Sequence, residues 1–232
     1  MRKRKPEVVF HSGFGLTDYW EMLRYDVRTP FVYFFERHLF DMLHKTDTHK
    51  RLLVEDYSAD VADLEHAFNH SCGWTSIIDN SLRYVTNLLG DDSSKFSFVD
   101  VGSGKGKVLL VCASRNHVKD FRDIAGVEIN PDLVHIARSN FQTMALAPCH
   151  MFTKSAESLN LGDLNDNLVL YLYNPFDEVL LADFLVNQTF RRCIIIYNNP
   201  VYSEVVESFG FAEIHRRESF SPTGRVSIFE SI

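Results

Sequence analysis

The chain has 232 residues, 45% of them hydrophobic and 24% charged, with a formal net charge of −7. That length can bury a full α/β core, and the composition is ordinary for a soluble globular protein. The acidic balance argues against broad nucleic-acid binding, which leaves a basic footprint, and no run reaches the roughly 18 apolar residues of a membrane span.

The chain opens on MRKRK, with four basic residues in the first five. It reads as a solvated terminus. It does not read as a secretory leader, because the apolar run behind it is only Val8, Val9 and Phe10. Cys72, Cys112, Cys149 and Cys193 form no CxxC pair. Cys112, in an expected helix, and Cys193, at the start of an expected strand, read as small buried hydrophobes in a reducing, cytoplasmic compartment.

Residues 1–95 lack a strand-like rhythm and are expected to form a helical cap or substrate segment. A first helix is expected over Thr17–Asp26, with Thr17 as its cap and Glu21 in its first turn. After Pro30 the stripe Phe31, Phe35, Leu39 and Met42 predicts a second. A third is expected over Ala59–His70, on Val61, Leu64 and Phe68. Past Gly73, a fourth carries Ile78, Leu82, Val85 and Leu89 and ends before Gly90. Tyr57, Trp74 and Thr75 sit near helix starts, where they either pack in the core, the favoured reading, or close over a ligand. His66 and His70, with Asp63 and Cys72 near, have a spacing that could hold zinc. They have no second ligand pair and read instead as a solvated helix face, so no metal is implied.

From Phe96 strands and helices alternate. Strands are expected at 96–101, 123–129, 150–153, 168–173 and 193–197, with helices at 106–116, 131–145, 177–188 and 201–208 between and after them. FAEIHRRES and RVSIFESI, separated by SPTG, form a closing hairpin. The fold class is therefore α/β, a Rossmann-like, mostly parallel seven-strand sheet with helices on both faces, over residues 96–232.

The first strand runs straight into Gly102, Gly104 and Gly106 and then into the helical run Val108–Val111. Strand, glycine turn and helix in that order build a nucleotide-type site, where missing side chains let a ligand approach the backbone. The second strand ends in Glu128, whose carboxylate can accept from both hydroxyls of a ribose. A P-loop is excluded by Val108, which stands where a magnesium-binding hydroxyl is needed. A dinucleotide fingerprint would put its third glycine at Lys107. Lys105 is expected to face solvent.

The form present, Asp100-x-Gly-x-Gly-x-Gly with Glu128 behind it, resembles motif I of class I S-adenosylmethionine-dependent methyltransferases. The resemblance covers about residues 96–232 and implies S-adenosyl-L-methionine as cofactor. It implies that Asp100 meets or orients the amino-acid end, that Gly102, Ser103, Gly104 and Gly106 form the cradle, and that Glu128 holds the ribose. Ile129 would wall the adenine, and Ser155 and Ala156, or else Glu157, would stand near its amino group. Tyr173-Asn174-Pro175-Phe176 is similar to motif IV of nitrogen-directed enzymes and closer to the shorter Asn–x–Phe form of seven-strand lysine methyltransferases. It departs from that motif in having one proline and no spacer before Phe176.

That resemblance implies Asn174, Pro175 and Phe176 as the catalytic set, with Asn174 also touching the cofactor. An amide oxygen and a backbone carbonyl would aim an amine's lone pair, and an aromatic face would stabilise the developing charge. Nitrogen is the first target and oxygen the second; the same residues also fit a plain strand terminator followed by a core Phe. Tyr173, Asn198, Asn199 and Tyr202 are candidates for binding the acceptor, expected to be a protein side chain or a small molecule. Nucleic acid is disfavoured by charge, no membrane is implied, and oligomeric state stays open. Two other readings stand beside this one: a module that binds S-adenosylmethionine or a nucleoside without turnover, and a nicotinamide-dependent oxidoreductase.

Overall fold

The computed structural model describes residues 16–50, 72–147, 149–155, 158–221 and 224–232. The basic opening run, the 59–70 helix, Tyr57, Asp63, His66, His70, Ala156 and Glu157 lie outside the described residues.

The N-terminal segment forms α1 (Leu16–Tyr25), α2 (Thr29–Tyr33), a π turn over Phe34–His38, and α3 (Leu39–His44). Next comes α4 (Thr75–Leu89), whose apolar stripe Ile78, Leu82, Val85 and Leu89 is buried as the spacing predicts. Its N-cap, Trp74, offers no side-chain bond. Glu36 stands in, accepting from the Ser76 N–H at 2.8 Å and the Ser76 hydroxyl at 2.6 Å. A carboxylate there satisfies donors that the helix start leaves open.

The alternating part gives β1 (Ser97–Val101), α5 (Lys107–Ser114), β2 (Asp123–Glu128), α6 (Pro131–Thr143) and β3 (His150–Thr153). It continues with β4 (Asn167–Tyr173), α7 (Glu178–Val186), β5 (Arg192–Asn198), α8 (Ser203–Ser208), β6 (Phe211–Arg217) and β7 (Val226–Ser231). The seven strands form one sheet in the order β3-β2-β1-β4-β5-β7-β6. The first five are parallel, and β7 runs antiparallel between β5 and β6. This is the Rossmann-like, mostly parallel sheet expected from the alternation.

Successive strand residues serve opposite faces. Phe98, Val169, Tyr171, Ile194, Ile196 and Ile228 pack with α4 and α5. Val99, Val101, Leu170, Leu172, Ile195 and Phe229 pack with Leu181, Phe184 and Leu185 of α7 and Val206 of α8. Phe40 and Trp74 belong to the first cluster, so α3 and the start of α4 share the sheet's core. Cys112 and Cys193 are buried and free, as expected; Cys72 is buried and Cys149 half-buried. Among the described residues no helix is long and apolar enough to cross a membrane, and no group of His, Cys, Asp and Glu could hold a metal.

The turn after α3 is organised by one buried acid. Asp41 accepts from both hydroxyl and N–H of Thr48 at 2.8 Å each, from Thr46 Oγ1 at 2.6 Å, and from the N–H and ring of His49. Those donors hold its carboxyl well below the usual range although burial opposes them. A depressed pKa contributes stability that is present above the unfolded value and fades as pH falls through the acidic range. Asp41→Ala, which strands these donors, is expected to lose about 3 kcal/mol in urea melts at pH 7, and the gap to wild type should narrow on acidification. An equal gap at pH 7 and in acid would show that the carboxylate's charge does not hold this turn.

Candidate functional site

Gly102 and Gly106 follow β1 at φ +76° and +81°, a backbone region that costs any side chain strain. Space forbids a side chain as well. A Cβ on Gly102 would lie 2.7 Å from Cβ of Pro175, and one on Gly106 would lie 3.1 Å from Cβ of Ala137. The loop is pinned beneath by Gly102 and Ser103, whose N–H groups both donate to the Val127 carbonyl at 2.9 Å. Ser103 turns its buried hydroxyl toward Gly126, and no hydrogen-bond partner meets it there.

Glu128, at the end of β2, is only 8% exposed. One oxygen accepts from Gly104 N–H at 2.8 Å, the other from Asn130 N–H at 2.9 Å. Burial raises its pKa and these bonds pull it back. Asp100 is 3% exposed, and its Oδ2 meets no donor. Desolvation, and then the nearby Glu128 charge, push its carboxyl well up. Asn130 caps α6 by accepting from Asp132 N–H at 2.8 Å, while its own buried amide nitrogen is unpartnered. Three buried, unpartnered polar groups, on Asp100, Ser103 and Asn130, thus surround one glycine loop, which is where a ligand's polar atoms would be expected.

Ile129 is half-buried at the same edge. Ser155 is fixed in the turn after β3, its carbonyl accepting from the Ser158 hydroxyl at 2.7 Å. The Lys154 N–H donates to the Glu128 carbonyl at 3.2 Å, so β3 delivers Ser155 beside the end of β2. At the end of β4, Asn174 takes φ +44° and Asn199 after β5 takes φ +52°. The Asn174 amide oxygen accepts from the Tyr197 hydroxyl at 2.9 Å. Pro175 rests on Gly102, so the β4 end and the glycine loop are in contact. Tyr173 and Tyr202 are half-buried on opposite faces of the sheet.

Three sequence expectations change here. Phe176 does not face the edge: it is buried against Phe184, with ring centroids 5.5 Å apart, in the α7 core. Its apolar ring gains more from that cluster than from a polar rim. Asn198 is fully buried, donating to the Arg225 carbonyl at 2.7 Å and accepting from the Tyr171 hydroxyl at 3.3 Å, so it joins strands. Lys105 is 2% exposed and pairs with Asp47 at 3.1 Å. Asn140 adds to that link, bonding both backbone groups of Asp47 and the Lys105 carbonyl. Lys107 is buried too, with Nζ 3.8 Å from the Phe40 ring centre and no hydrogen-bond partner. Burial lowers its pKa.

Asn130, Asn140 and the two lysines were not singled out as site-building residues from the sequence. For Asn130 a signal was present, since an Asn directly before Pro131 is an N-cap pattern. The partners of Asn140, Lys105 and Lys107 lie 35 to 93 residues away.

No family model and no curated protein matches this chain. Solved structures resemble it at low identity. The magnesium protoporphyrin IX methyltransferase of Synechocystis PCC 6803 with bound S-adenosylmethionine is 13% identical over 67% of this chain and 77% of that one, with a TM-score of 0.49. A ribosomal protein L11 methylase from Lactobacillus delbrueckii subsp. bulgaricus gives 13%, 66%, 77% and 0.45. A Pyrococcus abyssi tRNA uracil methyltransferase in complex with S-adenosyl-L-homocysteine gives 17%, 66%, 37% and 0.46.

Gly102→Ala meets both strain and the Pro175 contact and is expected to cost about 2–4 kcal/mol in denaturant melts. Gly90→Ala, at φ +55° with open space around it, should cost about 1 kcal/mol. Equal losses would show that the Pro175 contact does not constrain the loop.

Proposed function

We propose that the carboxyl edge of β1, β2 and β4 binds S-adenosyl-L-methionine and that the protein transfers its methyl group to an acceptor held at the β4 and β5 ends. The observation that carries this reading is the pair of buried carboxylates, Asp100 and Glu128, at one glycine loop. Two buried acids repel phosphates and favour a ligand that brings cationic charge and hydroxyl donors. S-adenosylmethionine has a sulfonium, an ammonium and a ribose, and no phosphate. NAD brings a pyrophosphate, and Lys107 occupies its fingerprint's third glycine position.

Each Glu128 oxygen holds one backbone N–H and retains a lone pair for a ribose hydroxyl. Asp100 supplies negative charge for the ammonium end. Ile129 walls the adenine, with Ser155 beside it. S-adenosylmethionine held there would supply an electrophilic methyl group: the acceptor's lone pair would take the methyl carbon as the carbon–sulfur pair leaves to sulfur, giving a neutral thioether, and the acceptor's proton would pass to water. Asn174, with one lone pair left on Oδ1, and the Pro175 carbonyl orient an amine for that attack. Tyr173, Asn199 and Tyr202 flank the acceptor. With Phe176 in the core, catalysis rests on positioning. Nitrogen remains the preferred target.

Calorimetric titration tests this with S-adenosylmethionine, S-adenosylhomocysteine and NAD. Micromolar binding of the first two is expected, weakened about ten- to a hundredfold in Glu128→Ala through loss of charge-assisted bonds. Because the Asp100 pKa is raised, the free protein holds a proton there above the usual carboxylate range, and the cationic cofactor expels it. Affinity should therefore rise with pH through that window, with proton release that Asp100→Asn abolishes. NAD binding alone would sink the reading. Asn174→Ala should lose turnover and keep cofactor binding; a module that only binds the cofactor would show no turnover to lose.

A further inference from the structure

The carboxyl edge continues past β5 into a second cavity that the cofactor reading leaves unused. It measures about 350 Å³ and lies between Asn199 and the ends of β6 and β7. Arg216, Arg217 and Arg225 line it with a single acid, Glu218. In a chain of net charge −7, three guanidinium groups around one cleft are a local reversal of sign.

Two carboxylates answer two of these arginines. Glu213 meets Arg216 Nε at 2.8 Å, and Glu218 meets Arg225 Nε at 3.6 Å. Among the described residues Arg217 pairs with no carboxylate, while Glu207, outside the cleft lining, adds a third negative charge near Arg216. Ser227 lines the same cavity; it is fully buried, and its hydroxyl has no hydrogen-bond partner. That hydroxyl, on the residue opposite Arg216 in register, is a buried donor left without an acceptor oxygen.

Register joins this cleft to the proposed reaction centre. Ser227 lies opposite Tyr197 on β5 and opposite Arg216 on β6, so the three share one sheet face. Tyr197 in turn holds the Asn174 amide. Neighbouring strands lie about 4.8 Å apart, so Arg216 on β6 stands three spacings, roughly 15 Å, from Asn174 on β4.

We infer that this cleft binds an oxyanion of the methyl acceptor, a carboxylate or phosphate about 10–15 Å from the atom methylated. The acceptor is thus an elongated small acid. A nucleic acid is disfavoured because the positive charge is confined to one cavity of an otherwise acidic chain. The inference rests on the methyl-transfer reading for the word acceptor.

The test is titration of the full chain with inorganic phosphate and with succinate at constant ionic strength, followed by the ¹H–¹⁵N signals of the arginine Nε groups and the Ser227 amide. Saturable shifts are expected with either probe, weakened about tenfold in Arg216→Gln and in Ser227→Ala, which removes only a hydroxyl. Preference between the probes separates phosphate from carboxylate. Equal shifts with chloride, or unchanged binding in both variants, overturn the site. A 20-nucleotide RNA that binds more tightly than phosphate and is lost in the same variants overturns the small-acid assignment. S-adenosylmethionine affinity, titrated separately, should be unchanged in both variants. Its absence in wild type overturns the methyl-transfer reading and with it the acceptor role, whatever phosphate does, so the two failures are distinguishable.

Discussion

Glu128 holds the carboxyl edge of β1 and β2 together. Its carboxylate grips Gly104 on one side and Asn130 on the other, tying the glycine loop to the start of α6 through one side chain. Both bonds are charge-assisted and shielded from water, which makes them stronger than surface bonds of equal length. The same burial places Glu128 close enough to Asp100 to raise its pKa. Two acids that repel each other in a dry place are stable only while something shares the charge. The loop's amides do this for Glu128. For Asp100 the compensation comes from a held proton, or from a ligand that brings positive charge.

The N-terminal helices bear on the same loop from outside. Asp41 shapes the turn that carries Asp47, and Asp47 reaches Lys105 and Asn140. Glu36 closes the start of α4, and Phe40 covers the ammonium of Lys107. Polar side chains of the cap are spent on the loop and on α4, so loop geometry depends on cap geometry. A buried ion pair such as Lys105–Asp47 adds specificity of placement more than net stability.

The ends of β4 and β5 are built differently. Two strands end in left-handed asparagines, a conformation that Asn tolerates better than most residues, and Pro175 leans on Gly102. The result is a rim of amides, carbonyls and half-buried tyrosines without a strong base. Such a rim suits chemistry in which orientation does most of the work.

Periodicity in the chain was enough to place β1 to β7, α4 and the central helices, because alternation and the 3.6-residue stripe depend only on neighbours in sequence. The glycine loop and Glu128 were legible for the same reason: the loop's strain and the strand-end acid are local features. Phe176, Asn198 and Lys105 were misplaced because each side chain's direction is set by packing or pairing outside its own element. Phe184 and its α7 neighbours bury Phe176, the Arg225 carbonyl just before β7 takes the Asn198 amide, and Asp47 draws Lys105 inward. The arginine cleft is of this second kind, since β6 and β7 bring Arg216 and Arg225 beside Asn199 only once the antiparallel hairpin has closed. Local pattern thus determined the elements and the cradle. Only tertiary structure decided which polar groups are spent on the fold and which remain open to a ligand, because that depends on pairing across distant segments.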